Sequence, residues 1–246
     1  MSDPSAPLPA PPPIEVRYLD DAVVVVSKPG GLLVHRSAQS PERDVLLTRL
    51  RDQIDQHLYP VHRLDRATSG LIVFALTSEA ARALQESWGA DSTEKRYVGL
   101  CRSTTPPTFA SDRPLTRHED GVRQEARTTF RTLGHDRGFS LVSASLDTGR
   151  RHQIRRHLAH LGAQLVGDTT YGKGGINRWL REEFGLPRLF LHAARLCFRH
   201  PSSGEMLELR DRVPVDLDRF LGRFSPPLAV RFREQFLAEA EEGGEK

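Results

Sequence analysis

Cysteine is nearly absent from this sequence, with only Cys101 and Cys197 among 246 residues. Two cysteines cannot build a disulfide framework, and each sits in an apolar run of strand type, where packing explains it better than metal ligation. A reducing compartment follows, and a cytoplasmic location is expected. No apolar run approaches the roughly 20 residues of a membrane span. The opening Met1-Ser2-Asp3-Pro4 lacks the basic and apolar stretches of a secretory leader, so a soluble protein off the membrane is expected. Glycine-rich phosphate loops of the GxxxxGK or GxGxxG type are missing too, which leaves a nucleotide cofactor without support. Excess charge of one sign is slight: 35 Lys and Arg against 32 Asp and Glu give a net +3, which permits a polyanionic partner without requiring one.

What the chain does have is ordinary globular composition, 38% hydrophobic and 27% charged, enough for one substantial core. Residues 1–13 are Pro, Ala and Ser with nothing to pack, and read as a disordered tail. Alternation at Val16 and Tyr18 and the run Val23 to Val26 predict strands. Leu46, Leu47, Leu50, Ile54 and Leu58 recur at helical spacing, with Pro60 expected to stop that helix. A strand is predicted over 71–76, a helix capped by Thr77 or Ser78 up to about Trp88, and a strand over 96–101. A Pro- and charge-rich loop then leads to strands over 126–133 and 139–146. A short helix over about 151–161 closes at Gly162, and strands follow over 189–198 and 206–209. The segment 226–246 reads as a C-terminal helix over 228–241 with an acidic tail, set apart from a catalytic domain over 14–225. The pattern predicts an α+β fold: a mixed, largely antiparallel central sheet flanked by helices.

Three segments carry candidate chemistry. In His62-Arg63-Leu64-Asp65-Arg66-Ala67-Thr68-Ser69-Gly70, arginines on both sides of Asp65 favour an ionised carboxylate, and such a group can be a nucleophile. A loop salt bridge before a tight glycine turn would read the same way. In Lys95-Arg96-Tyr97, an aromatic beside two cations can stack on an unpaired base while the cations hold phosphate, although a buried strand tyrosine gives the same pattern. Between Asp147 and His160 stand four Arg and three His against one carboxylate, a density suited to phosphates. At 100° per residue, Ile154, Leu158 and Leu161 share an apolar stripe with Arg151 and Arg155 on its border, within reach of a buried carboxylate. Arg156 and His160 face outward, toward phosphate or solvent. His157 and His160 lie three apart, but no Cys or carboxylate on that helix completes a ligand set, so no metal is expected.

In this order, the three segments resemble the pseudouridine synthase family named after ribosomal large subunit pseudouridine synthase A. The first fits its HRLDxxTSG signature, Lys95-Arg96-Tyr97 its KxY motif, and Thr148-Gly149-Arg150-Arg151-His152-Gln153-Ile154-Arg155 its TGRxHQ(I/L)R motif. Ser27-Lys28-Pro29-Gly30, Gly167-Asp168 and Leu191-His192-Ala193 support the match. The resemblance spans about residues 15–210. It implies a pseudouridine synthase catalytic fold with a central RNA-binding cleft, and isomerisation of an RNA uridine without metal or cofactor. Asp65 would be the nucleophile, attacking sugar C1′ or base C6. Tyr97 would stack on the extruded uracil, Arg155 would orient Asp65, and Arg63 would fill the vacated space or hold phosphate. His62, Arg66 and Arg150 would contact substrate, and Leu191 would wall the base from below. Within the family the chain is similar to the branch that lacks an N-terminal S4-type domain and acts on uridine 65 of tRNA, which implies tRNA as partner; a monomer is expected. The alternatives are a ribosomal RNA enzyme of the same family and a non-catalytic RNA-binding protein on the same fold.

Overall fold

The computed structural model describes residues 11–36, 44–88, 93–116 and 121–237. The proline tail over 1–10 and the acidic end over 238–246 lie outside the described residues. The strands are β1 (Glu15–Leu19), β2 (Val23–Lys28), β3 (Tyr59–Pro60), β4 (Ser69–Ala75), β5 (Glu94–Arg102), β6 (Thr108–Ser111), β7 (Leu115–Thr116), β8 (Arg123–Gln124), β9 (Thr128–Asp136), β10 (Phe139–Leu146), β11 (Leu191–Arg199) and β12 (Met206–Arg210). The helices are α1 (Leu46–Ile54), α2 (Ser78–Ser87), α3 (Gln153–His160), α4 (Gly174–Phe184), α5 (Val215–Phe224) and α6 (Pro226–Glu234). No helix among the described residues is long and apolar enough to cross a membrane.

The expected mixed sheet is present. Its strand order is β1-β2-β4-β11-β5-β10-β9-β6, with β12 paired to β11 and β3 to β4. Every pairing in it is antiparallel except β4 with β11. Alternation along the strands divides the core between two faces, because successive side chains of a strand point to opposite sides. On one face Ile72, Phe74, Tyr97, Ala144, Leu191 and Ala193 pack with Leu46 and Leu50 of α1 and with Ile154 and Leu158 of α3. On the other, Val98, Leu100 and Phe190 meet α4, α5 and α6, while Leu71 and Val73 meet α2.

Several sequence expectations are corrected. α1 stops at Ile54, where Asp55 turns left-handed (φ 53°), so Leu58 reaches the core from an extended segment and Pro60 joins β3 instead of ending a helix. The predicted loop before Ala126 contains β6 and the β7-β8 hairpin. Phe109 on β6 stacks on Phe130 of β9 (4.8 Å), which secures an edge strand directly after Pro106-Pro107. Helix α4 opens on Gly174-Gly175, which masks its periodicity. α5 was legible in principle, since Leu217, Phe220, Leu221 and Phe224 follow helical spacing. Ser225 caps α6, accepting from Leu228 N (3.4 Å), and Leu228, Ala229 and Phe232 are buried in one cluster with α4 and α5.

The parallel pairing of β4 and β11 places the functional segments. Gly70 faces Ala193 in register, and Ala193 faces Tyr97 on β5. A Cβ on Gly70 would lie 2.3 Å from the carbonyl oxygen of Ala193, and the backbone there has φ +114°, so both space and conformation demand glycine. Gly70→Ala should therefore lower unfolding stability by roughly 2–5 kcal/mol, combining backbone strain with overpacking. Urea unfolding followed by circular dichroism measures it, and an unchanged midpoint would contradict the close approach.

Candidate active site

The segment between β3 and β4 carries Asp65, and it is fastened from beneath. Arg66 O accepts from Gly31 N (2.8 Å) and from the Lys28 ammonium (3.1 Å), which also donates to Pro29 O and Leu32 O, both at 2.8 Å. Lys28 is wholly buried, and that burial, reinforced by Arg188, pushes its pKa down to about 7. Thr68 N closes the turn on Asp65 O at 3.1 Å. Leu64 enters the core, and Asp65 projects into a cavity of about 700 Å³.

Arg155, one turn into α3, meets it there. Arg155 Nη1 donates to Asp65 Oδ2 at 3.2 Å, while Nε and Nη2 form a fork on Asp168 at 2.8 and 2.9 Å. Asp168 is almost fully buried and also accepts from Thr170 N and Tyr171 N (2.8 and 2.9 Å). Burial works against charge on both groups. The hydrogen bonds prevail, holding Arg155 above the usual guanidinium value and Asp168 below the usual carboxylate range. The result is a fixed cation presented to Asp65 by a carboxylate behind it. Gly167 permits this arrangement: at φ +78°, any Cβ would strike Arg188 O at 2.2 Å.

A second basic group faces the other carboxylate oxygen. His152 Nε2 is 3.7 Å from Asp65 Oδ1, and its Nδ1 lies 3.1 Å from the Tyr171 hydroxyl. The aromatic ring of Tyr171 lies under the Arg155 guanidinium at 5.2 Å. The turn leading into α3 is organised by Gln153, whose Oε1 accepts from the Thr148 hydroxyl (2.7 Å) and Arg150 N (3.0 Å) and whose Nε2 donates to Arg127 O (2.8 Å).

Tyr97 and Leu191 line the same cavity from the sheet, both buried. Burial first, then the nearby Asp65 charge, raises the Tyr97 phenol, which stays protonated at neutral pH. Ala144 and Ala193 flank Tyr97 in register, so small neighbours leave space beside its ring. Arg63, Arg150 and Arg151 surround the cavity from exposed positions, an electropositive rim over an apolar floor.

The family profile described as RNA pseudouridylate synthase matches residues 22–160. Proteins named tRNA pseudouridine synthase C are similar over most of the chain: that of Vibrio cholerae serotype O1 is 38% identical over 80% of this chain and 90% of its own length, and that of Haemophilus ducreyi 39% identical over 77% and 87%. This chain belongs to the RNA pseudouridylate synthase family. It is an RNA pseudouridine synthase, an isomerase acting on uridine. The fold agrees with the solved structure of human RNA pseudouridylate synthase domain containing 4, with a TM-score of 0.68 at 24% identity, covering 85% of this chain and 92% of that one.

Of the positions that the synthase signatures single out, Asp65, Tyr97, Arg155, Arg63, Arg150 and Leu191 converge on one cavity. Arg66 does not. Its Nε donates to Gly31 O (3.0 Å), and its exposed side chain lines a separate hollow beside Asp44 and Arg49. His62 borders the cavity, but its Nε2 accepts from Val73 N (3.2 Å) and its ring stacks on Trp88 (4.6 Å). Burial, aided by Lys95, pulls its pKa to about 3, so it serves as a neutral packing element. Arg156, expected to face outward, donates to Thr116 O (2.8 Å) and braces β7, and Leu161 is exposed instead of completing the apolar stripe. His157 engages Thr128 and Arg113 O through its two ring nitrogens. Residue reasoning missed His152, Gln153, Asp168 and Tyr171. His152, Gln153 and Asp168 stand inside the family motifs and Tyr171 outside them, and nothing in one dimension showed that residues 168–171 return to Asp65.

Proposed function

We propose that the protein converts uridine 65 of tRNA to pseudouridine, working in the cytoplasm as a monomer without metal or cofactor. The Arg155 to Asp65 pair in an apolar cavity carries the chemical part of this reading. A carboxylate held by a fixed cation, with one face open to a base-sized space, suits nucleophilic attack on a nucleoside that has left its stack. Asp65 is the nucleophile. Arg155 orients it, Tyr97 stacks on the uracil and Leu191 supports the base. Arg63 fills the position the base vacates, and Arg150 with Arg151 meets flanking phosphates. The tRNA assignment draws on the relatives named tRNA pseudouridine synthase C, which match 77% and 80% of this chain.

Pseudouridine mapping by carbodiimide in total RNA from a strain lacking the gene tests the substrate. Loss at tRNA position 65 with ribosomal RNA unchanged is expected. Loss at a ribosomal site with tRNA intact would transfer the protein to ribosomal RNA.

A further inference from the structure

Converting a nitrogen-linked uracil to a carbon-linked one breaks the C1′–N1 bond, whose electron pair stays on N1, and forms a C1′–C5 bond from the C5=C6 pair. C5 then holds both the sugar and its original hydrogen. That proton must leave to restore the ring, and N1 takes one from solvent, so the change is proton-neutral whichever atom Asp65 bonds transiently. A base near Asp65 is therefore required.

The geometry points to His152, oriented by Tyr171, as the catalytic residue that accepts the C5 proton through Nε2. This rests on the reading of Asp65 as nucleophile. Among the described cavity residues, His35 also carries a ring nitrogen but makes no ion pair with Asp65, and the remaining acceptors are held otherwise. The Tyr97 phenol stays protonated, His62 Nε2 is occupied by Val73 N–H, and Asp147 pairs with Arg127 (3.4 Å) at the surface. Asp65 itself is engaged by Arg155. His152 alone combines a ring nitrogen 3.7 Å from the Asp65 carboxylate with an anchor on its other nitrogen. With its proton on Nδ1, donated to the Tyr171 oxygen, it presents the Nε2 lone pair to the cavity.

Two further observations agree. His152 holds a left-handed backbone (φ 54°), an unfavourable setting for a histidine that persists where the surroundings fix it. Asp168 binds both Arg155 and the backbone of Tyr171, so one buried carboxylate sets the positions of both groups that face Asp65. Burial lowers the imidazole pKa below its usual value, with Arg155 and Arg151 adding to that while Asp65 and Asp168 oppose it. The neutral base is thus the resident form at neutral pH. Turnover dependent on it is complete above that lowered pKa and is lost as pH falls through it.

The test uses the full-length protein and tRNA carrying uridine deuterated at C5. His152→Asn suits the left-handed backbone, which Asn tolerates. It should slow single turnover by about 10²-fold or more, the lower range for loss of a general base. It should raise the C5 isotope effect above the wild-type value and remove the acid limb of the pH profile. Tyr171→Phe keeps the ring beneath Arg155 while removing the hydroxyl, and should slow turnover less while also raising the isotope effect. This second variant decides the matter if the first fails to fold. Turnover within threefold of wild type, or slow turnover with an unchanged isotope effect, would overturn the proposal. Asp65→Asn separates the two readings: if it is inactive while His152→Asn behaves as wild type, only the role of His152 falls, whereas an active Asp65→Asn removes the underlying reading.

Discussion

Replacing Asp65 with Asn should leave tRNA affinity within a few fold of wild type while reducing pseudouridine formation by more than about 10³-fold, as loss of a nucleophile does. The substitution keeps shape and removes charge. Arg155 would lose one hydrogen bond but remain forked on Asp168, so the cavity wall stays in place. The loop is also held by its backbone, through Arg66 O and Thr68 N, and does not depend on the Asp65 carboxylate. RNA affinity arises largely from phosphate neutralisation, and the exposed arginines at the rim are untouched. Carbodiimide mapping of modified tRNA, with filter binding at one fixed salt concentration, separates the two quantities. Equal pseudouridine yield from variant and wild type would remove Asp65 from the chemistry.

Most of the sheet was legible because its strands announce themselves by composition and alternation: Val23 to Val26, Leu71 to Ala75 and Phe139 to Leu146 all lie close to their expected limits. Edge elements were not. β6 follows two prolines and has one strand partner among the described residues, so its pairing depends on Phe109 meeting Phe130, a contact between residues 21 apart. The same contrast holds at the site. Asp65 and Arg155 could be linked from sequence because the motif resemblance supplied the connection and helical periodicity placed Arg155 at a border. Asp168 and Tyr171 lie beyond Gly162 in a segment without periodicity, and their return to Asp65 depends on left-handed Gly167 and on Asn177, which accepts from Gly167 N (2.9 Å) and donates to Asp168 O (2.9 Å). Arg66 and His62 take up contacts that the sequence did not show, with Gly31 O and with the Trp88 ring. They stand beside the key carboxylate in sequence, but neighbours along an extended chain point in different directions.

The contrast between adjacent arginines in α3 supplies the second large effect. Arg155→Lys should reduce turnover by about 10²-fold, whereas Arg156→Lys should remain within about threefold. Arg155 satisfies three partners at once: two nitrogens reach Asp168, one reaches Asp65, and Nη2 also donates to the Thr170 hydroxyl (3.1 Å). An ammonium has no planar fork and cannot span both carboxylates in that geometry. Placed on Asp168, it abandons Asp65 to drift. Placed on Asp65, it leaves Asp168 buried with an unmatched charge, which costs about 3–5 kcal/mol when a buried pair is broken outright. A displacement of the reacting carboxylate by about 1 Å is sufficient for a loss of the predicted size. Arg156 instead donates to a backbone carbonyl and a hydroxyl of Thr116, contacts that a lysine can replace singly near the surface. Single-turnover rate constants for both variants, with thermal unfolding to register any loss of stability, provide the comparison. Equal rates for the two would mean that the fork on Asp168 does not set the position of Asp65.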